Sequence, residues 1–191
     1  VELPEKEKEL TTAFPGPDYH IPWRTVYKEE SLSTPCRMVF DASSRTPGGE
    51  SLNNILAKGS NKLASILHIL LRFRQKPAAM TADVSMAYNG VKLDPSYLKF
   101  QKYLWKEDLD SSNPTIVMVV RTLIYGVRPA GNLTMAGFSK LSDYCREHFP
   151  EHELGAKVLS QDAYMDDLLH SGENLDICRK TAESLDFTLN L

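Results

Sequence analysis

Tyr164-Met165-Asp166-Asp167 sets two adjacent carboxylates between two short, mostly apolar segments, Ala156-Lys157-Val158-Leu159-Ser160 and Leu168-Leu169-His170-Ser171. Both flanks have strand length, and the polar Gln161-Asp162 and Asp166-Asp167 steps suit a turn region. The stretch is therefore predicted to be a tight β-hairpin with its acids at the tip. Two like charges so close repel, and one pKa rises unless a hard cation such as Mg²⁺ lies between them and a third acid. Asp-Asp is also ordinary turn chemistry, and an isolated pair carries no further meaning.

A third acid lies upstream. In Ala79-Met80-Thr81-Ala82-Asp83-Val84-Ser85-Met86-Ala87-Tyr88 a short apolar strand ends at Asp83, with an aromatic residue following. Phosphoryl transfer assisted by two divalent ions, roughly 3.5–4 Å apart, clamps the attacking and leaving oxygens and takes carboxylates from separate chain segments. Asp83, Asp166 and Asp167 suffice for that chemistry.

At these residues the chain resembles a reverse transcriptase, with Asp83 in the first palm motif and Tyr164-Met165-Asp166-Asp167 as the YxDD box. Further blocks, in order, are similar to the BEL/Pao class of LTR retrotransposons. Tyr19-His20-Ile21-Pro22-Trp23-Arg24-Thr25-Val26-Tyr27-Lys28-Glu29 is similar to the opening segment of that class, and Cys36-Arg37-Met38-Val39-Phe40-Asp41-Ala42-Ser43 resembles its R-x-V-F-D-A-S block. Leu52-Asn53-Asn54 and Leu70-Leu71-Arg72-Phe73-Arg74 precede the Asp83 strand, and Phe100-Gln101-Lys102-Tyr103-Leu104-Trp105 follows it as an F-Q-x-x-L-W run. The resemblance extends from about Asp18 to the C-terminus.

The resemblance implies an α+β fold, the fingers and palm of a right-hand polymerase, with an antiparallel palm sheet packed on helices. Residues 1–17 are then a linker, 18–58 and 91–128 the fingers, and 59–90 and 129–191 a palm without thumb or RNase H domain. It also implies two Mg²⁺ ions, replaceable by Mn²⁺, with Asp83, Asp166, Asp167 and the Val84 carbonyl as metal ligands. Lys28 and Arg37 fall where the family's basic fingers residues meet the triphosphate, and charge there balances the leaving pyrophosphate. Asp41 orients the Arg37 guanidinium or ends its strand. Tyr88 takes the place of the steric gate that favours dNTPs. Tyr125 and Gly126 begin the motif under the nucleotide, and Arg128, Tyr164 and Met165 face primer and template. The implied partners are an RNA or DNA template with its primer, dNTPs and the remainder of a pol polyprotein.

Two places depart from the family. Pro129-Ala130-Gly131-Asn132 does not keep the usual small-residue-then-Pro order, and Asn89-Gly90 follows Tyr88 where larger side chains are usual. An Asn-Gly step invites a tight turn. Such drift suits a domesticated or truncated copy that binds nucleic acid or protein without polymerising. Clustered acids argue against this alternative, since uncompensated charge costs stability. A two-carboxylate glycosidase needs its acids held apart, which adjacent aspartates do not provide.

Composition sets outer bounds. At 191 residues and 42% apolar the chain can bury its own core, and its start at Val1 and end at Leu191, in what reads as strand, suggest a piece of an enzyme. No signal peptide or run of about eighteen apolar residues is present, so neither membrane nor secretion is expected. The expected location is cytoplasmic, in a virus-like particle, or nuclear. The Asn132-Leu133-Thr134 sequon is then incidental, and the odd, widely spaced Cys36, Cys145 and Cys178 suit a reducing compartment. Cys145, His148 and His152 have zinc-ligand spacing, but Pro150 interrupts the helix, so a surface helix end is expected. His20, His68 and His170 have no partner spacing.

Net charge is −3, yet Lys58, Lys62, Arg72, Arg74 and Lys76 fall in one acid-free stretch. Such a stretch suits a phosphate backbone, or a solvated helix face. Leu63, Ile66, Leu67, Leu70 and Leu71 recur at helical spacing, predicting a helix over 61–73 with a core-facing stripe that ends before Pro77. Residues 25–27 and 37–40 read as paired strands, 115–123 as a strand, 138–148 as a helix, and 175–185 as a helix capped by Asn174.

Overall fold

The computed structural model describes residues 19–27, 35–108 and 112–191. In chain order its elements are β1 (Trp23–Tyr27), β2 (Cys36–Phe40), α1 (Leu52–Ile55), α2 (Ile66–Phe73), β3 (Ala78–Asp83), β4 (Lys102–Trp105), β5 (Ile116–Val119), α3 (Ala130–His148), α4 (Glu153–Gln161), β6 (Ala163–Tyr164), β7 (Asp167–Gly172) and α5 (Leu175–Leu189). Among the described residues every strand pairing is antiparallel, so the protein is α+β with antiparallel sheets and helices. The chain divides into two compact units, one of residues 1–58 and 88–130, the other of residues 59–87 and 131–191.

In the first unit β1 pairs with β2, from Trp23 opposite Phe40 to Tyr27 opposite Cys36, as the two segments' β-rich composition predicts. Most of this ribbon is exposed, Tyr27 at 72%, and it is held at its base. There the Trp23 indole N–H donates to the Leu104 carbonyl (2.7 Å) and its ring stacks on Trp105 at 5.1 Å. Pairing of β4 with β5 places a strand inside the predicted 115–123 segment, ending at Val119. Ile21, Leu52, Leu123, Ile124 and Val127 form the core of this unit, with Tyr88 among them. Burying each aliphatic contributes about 1.5–3 kcal/mol.

The second unit is a three-stranded sheet of order β3-β7-β6, packed on helices. Leu168 of β7, Val158 and Leu159 of α4, Met135 and Phe138 of α3 and Leu185 of α5 form its core. α5 begins where Asn174 caps it, its side chain accepting from the Ile177 N–H at 2.9 Å, and runs to Leu189. The C-terminal segment is therefore helix, not the strand expected at Leu191. α3 starts eight residues before the predicted 138, directly after Pro129, because Ala130 and Ala136 favour helix and the one poor former, Gly131, is tolerated once Met135 and Phe138 are buried against the core.

Two further expectations are corrected. Residues 156–160 lie in α4, not in a strand, since Ala156, Val158 and Leu159 are buried on a helix face and a short apolar run has no period of its own to decide the matter. The hairpin arm before the acids is thus only Ala163-Tyr164. Helix α2 spans Ile66–Phe73 rather than 61–73, and only Ile69 is buried in it. Ile66, Leu67, Leu70 and Leu71 are 41%, 61%, 40% and 55% exposed, so the stripe read as core is open on the described residues. Spacing shows that a helix has an apolar face, but not how much of that face its neighbours cover.

Candidate active site

Within the second unit, β3 and β7 pair with Asp83 directly opposite Asp167, and the shared register runs back to Ala78 opposite Gly172. Opposed residues in an antiparallel pair leave the same sheet face, Cβ atoms about 4.5–5.5 Å apart, and like charges there are destabilising. β6 and β7 form the predicted hairpin, Tyr164 opposite Asp167, with Met165 and Asp166 as the turn. The Val84 N–H donates to the Asp166 carbonyl at 2.8 Å, tying the end of β3 to that turn. The fold thus brings Asp83, Val84, Tyr164, Met165, Asp166 and Asp167 to one end of the sheet.

This end is strained. Among the described residues the two non-glycine positions with positive φ are Met86 at 52° and Met165 at 59°. Met165 directly precedes Asp166 and Met86 follows Asp83 by three residues, and such backbone costs of order 1–3 kcal/mol each, persisting where the surroundings fix it. Gly131 contributes room at the turn, because a Cβ there would lie 3.2 Å from both Sδ and Cε of Met165. The sequence departure at Gly131 therefore sits directly against the Met165 thioether.

Carboxylate oxygens and a backbone carbonyl are the donors a hard divalent ion takes. Among the described residues none of the three acids is ion-paired to a basic side chain, so a cation is chemically suited to the repulsion between them. Among those same residues no three His, Cys, Asp or Glu side chains converge as a ready metal-binding group. The donor chemistry fits Mg²⁺, and the backbone gathers the acids without their side chains closing on one point.

The first unit carries the other candidates. Arg37 is exposed on β2, opposite Val26, while Lys28 lies outside the described residues. Tyr88 is 8% exposed and packs against Tyr125, ring centroids 4.3 Å apart, whereas Tyr125 itself is 49% exposed. Gly126 has φ of 92°, and a Cβ there would come within 3.0 Å of the Phe40 carbonyl, so the turn requires glycine. Asp41 accepts from the Ser43 N–H at 3.0 Å, which makes it a turn residue.

Asn53, quoted above only as part of a motif, organises this turn. Its amide donates to the Gly126 carbonyl (2.8 Å) and to Ser43 Oγ (2.9 Å), and its Oδ1 accepts from the Arg128 N–H (2.7 Å). Asn53→Ala is expected to lower stability by about 1–3 kcal/mol, as backbone groups of Gly126 and Arg128 lose their partners. A urea midpoint unchanged from wild type would refute this role.

Asp162 is the second residue the sequence did not single out. Read as part of a turn, it instead caps α4, nearly buried, accepting from Arg72 Nε at 2.9 Å and pairing with His170 Nδ1 at 2.8 Å. His170 thus has a partner eight positions away, across the hairpin, which no local spacing reveals. Burial pushes the Asp162 carboxyl up, but hydrogen bonds from His170 and Arg72, with their charges, outweigh it and hold the group below its ordinary value. A lowered folded-state pKa contributes stability above the unfolded value of about 3.9, lost as pH falls through the folded value. Wild-type stability is therefore expected to fall below about pH 4, and Asp162→Asn to flatten that limb, as read by denaturant unfolding against pH.

The basic stretch is partly neutralised internally, Arg72 by Asp162 and Lys76 by Glu173. Of the zinc-spaced residues, Cys145 is buried with Sγ near the His152 carbonyl and Thr188 Oγ1, and the His152 ring stacks on Phe187 at 3.7 Å. No helix among the described residues is long and apolar enough to cross a membrane. No family model matches the chain, and no curated protein matches it.

Proposed function

We propose that this chain is the fingers and palm of an RNA-directed DNA polymerase of the BEL/Pao type, the first unit the fingers and the second the palm. The observation that carries the reading is the register of Asp83 opposite Asp167, with Asp166 tied to Val84, and no basic side chain among the described residues ion-paired to these acids. Asp83, Asp166 and the Val84 carbonyl would hold Mg²⁺, or Mn²⁺ in its place, with Asp167 supporting the pair. Bound metal supplies Lewis-acid stabilisation of charge at the reacting phosphate and activates the primer 3′-hydroxyl.

The remaining tasks fall to side chains. Tyr164 and Met165 support the primer end, and Arg128 the template. Lys28 and Arg37 balance triphosphate charge, Tyr125 and Gly126 underlie the nucleotide, and Tyr88 selects against a 2′-hydroxyl. Base pairing supplies sequence specificity, so the protein grips backbone and stacked pairs of an RNA or DNA template with primer. Its setting is a pol polyprotein, in cytoplasmic particles or the nucleus.

Primer extension on an RNA template with dNTPs and Mg²⁺ tests this, using the chain alone and a form continued through a thumb. Incorporation by either supports the reading; primer-template binding without incorporation by both removes it. The second reading, a non-catalytic nucleic-acid or protein binding module, is favoured by one observation: the acid side chains do not converge as a three-ligand group among the described residues.

A further inference from the structure

We infer that Asp162 is a positioning residue for the Asp166-Asp167 turn, gripping Arg72 of α2 and His170 of β7 so that the short arm β6 holds its register. The inference rests on the proposed function only where it concerns the cation.

The two arms of the hairpin are held very unequally. β7 pairs with β3 over six positions, from Ala78 opposite Gly172 to Asp83 opposite Asp167. β6 pairs with β7 over two, Ala163 opposite Leu168 and Tyr164 opposite Asp167. Two residues of ladder fix little, and Met165 immediately beyond takes a strained φ of 59° that its surroundings must impose. Beyond the ladder, burial of Ala163 and the Val84 N–H to Asp166 O bond hold β6 and its turn, and a further anchor lies just before it.

Asp162 stands at that point. Its backbone N–H donates to Val158 O (2.8 Å), ending α4, and its carbonyl accepts from the Leu169 N–H (3.1 Å). One carboxylate oxygen takes the Arg72 guanidinium and the other the His170 ring, so α2, α4 and β7 meet at one nearly buried group with 8% side-chain exposure. Arg72 is held in turn: it donates to the Gln161 carbonyl, and its own carbonyl accepts from Ser171 Oγ at 2.8 Å. Arg72 is 37% exposed, so solvent compensates part of its charge, but removing the nearly buried Asp162 carboxylate loosens the contacts that tie α2 and β7 to this point. The loss reaches Asp166 through Tyr164 and Met165, and the bond that reports it is Val84 N–H to Asp166 O.

Native-state amide hydrogen exchange, followed by NMR on wild type, Asp162→Asn and the surface control Lys76→Ala, tests the inference. The expected result is exchange at Val84 and Leu169 about tenfold faster or more in Asp162→Asn, with the Gly155 amide between α4 and α5 and the Lys76→Ala protein unchanged. Unchanged Val84 protection, or equal acceleration of Val84 and Gly155, overturns it, since the latter is loss of global stability alone. Should Asp162→Asn fail to fold, His170→Gln is read at the same amides with the same criteria. Mn²⁺ titration followed by electron paramagnetic resonance adds the functional arm, with affinity expected to drop about tenfold in Asp162→Asn. A wild type that never extends a primer removes the polymerase reading and leaves the exchange result to decide the clamp.

Discussion

Asp166→Asn is expected, on the polymerase reading, to lower template-directed dNTP addition by about a hundredfold to ten-thousandfold, while primer-template binding stays within a few-fold of wild type. The range is that seen when one preorganised electrostatic group is removed from a reacting centre or a catalytic group acting as part of a unit is lost. On that reading binding survives because Asp166→Asn leaves Tyr164 and Met165 in place and removes a negative charge, which does not weaken a grip on phosphates. The same acids predict an opposite effect on stability. Asp83 faces Asp167 in register, so Asp167→Asn relieves a like-charge pair and is expected to raise the unfolding free energy by about 0.2–1 kcal/mol. A stability gain in Asp167→Asn beside an activity loss in Asp166→Asn marks acids kept for chemistry rather than for folding. Primer extension and urea unfolding on the same preparations check both; Asp166→Asn at wild-type rates would end the three-acid reading.

Gly155→Ala is expected to be the most destabilising Gly→Ala change among the described residues, at about 3 kcal/mol or more, the upper end of overpacking costs. A Cβ at this position would lie 2.3 Å from C and O of Ser184 and 2.4 Å from N of Leu185, all backbone atoms of α5. No rotamer change relieves a clash with main chain, so α4 and α5 must move apart. That opens the packing of Val158, Leu159 and Leu185 and disturbs the Gly155 N–H to Ser184 Oγ bond of 2.8 Å. Thermal or urea unfolding measures it, and a midpoint within error of wild type would show that the helices do not approach so closely. Gly155→Ala should also lower activity only as folded protein is lost, in contrast to Asp166→Asn.

Much of the site was readable from residue types. Paired acids after an aromatic suggested a hairpin, a lone aspartate closing an apolar strand suggested a partner for it, and both are local patterns that the backbone follows. The paired strands 25–27 and 37–40 and the Asn174 cap were legible for the same reason, since β-branched and aromatic composition and a capping side chain act within a few residues. α4 was misread because Ala156-Lys157-Val158-Leu159-Ser160 is apolar enough for either element, and burial against α5 decided it. The α2 stripe was misread for the converse reason: its period is helical, yet its covering depends on neighbours far along the chain.

Asn53, Gly155 and Asp162 carry no local signature because each acts through distant partners: Gly126 and Arg128 for Asn53, Ser184 for Gly155, Arg72 and His170 for Asp162. Sequence by itself determined which donor groups the chain carries and where its turns fall, since donor types and turn-forming residues are properties of single positions and short spans. Tertiary structure alone decided the register that sets Asp83 against Asp167, the strained turn at Met165 and the buried grip on Asp162, because each requires segments tens of residues apart to meet at hydrogen-bonding distance.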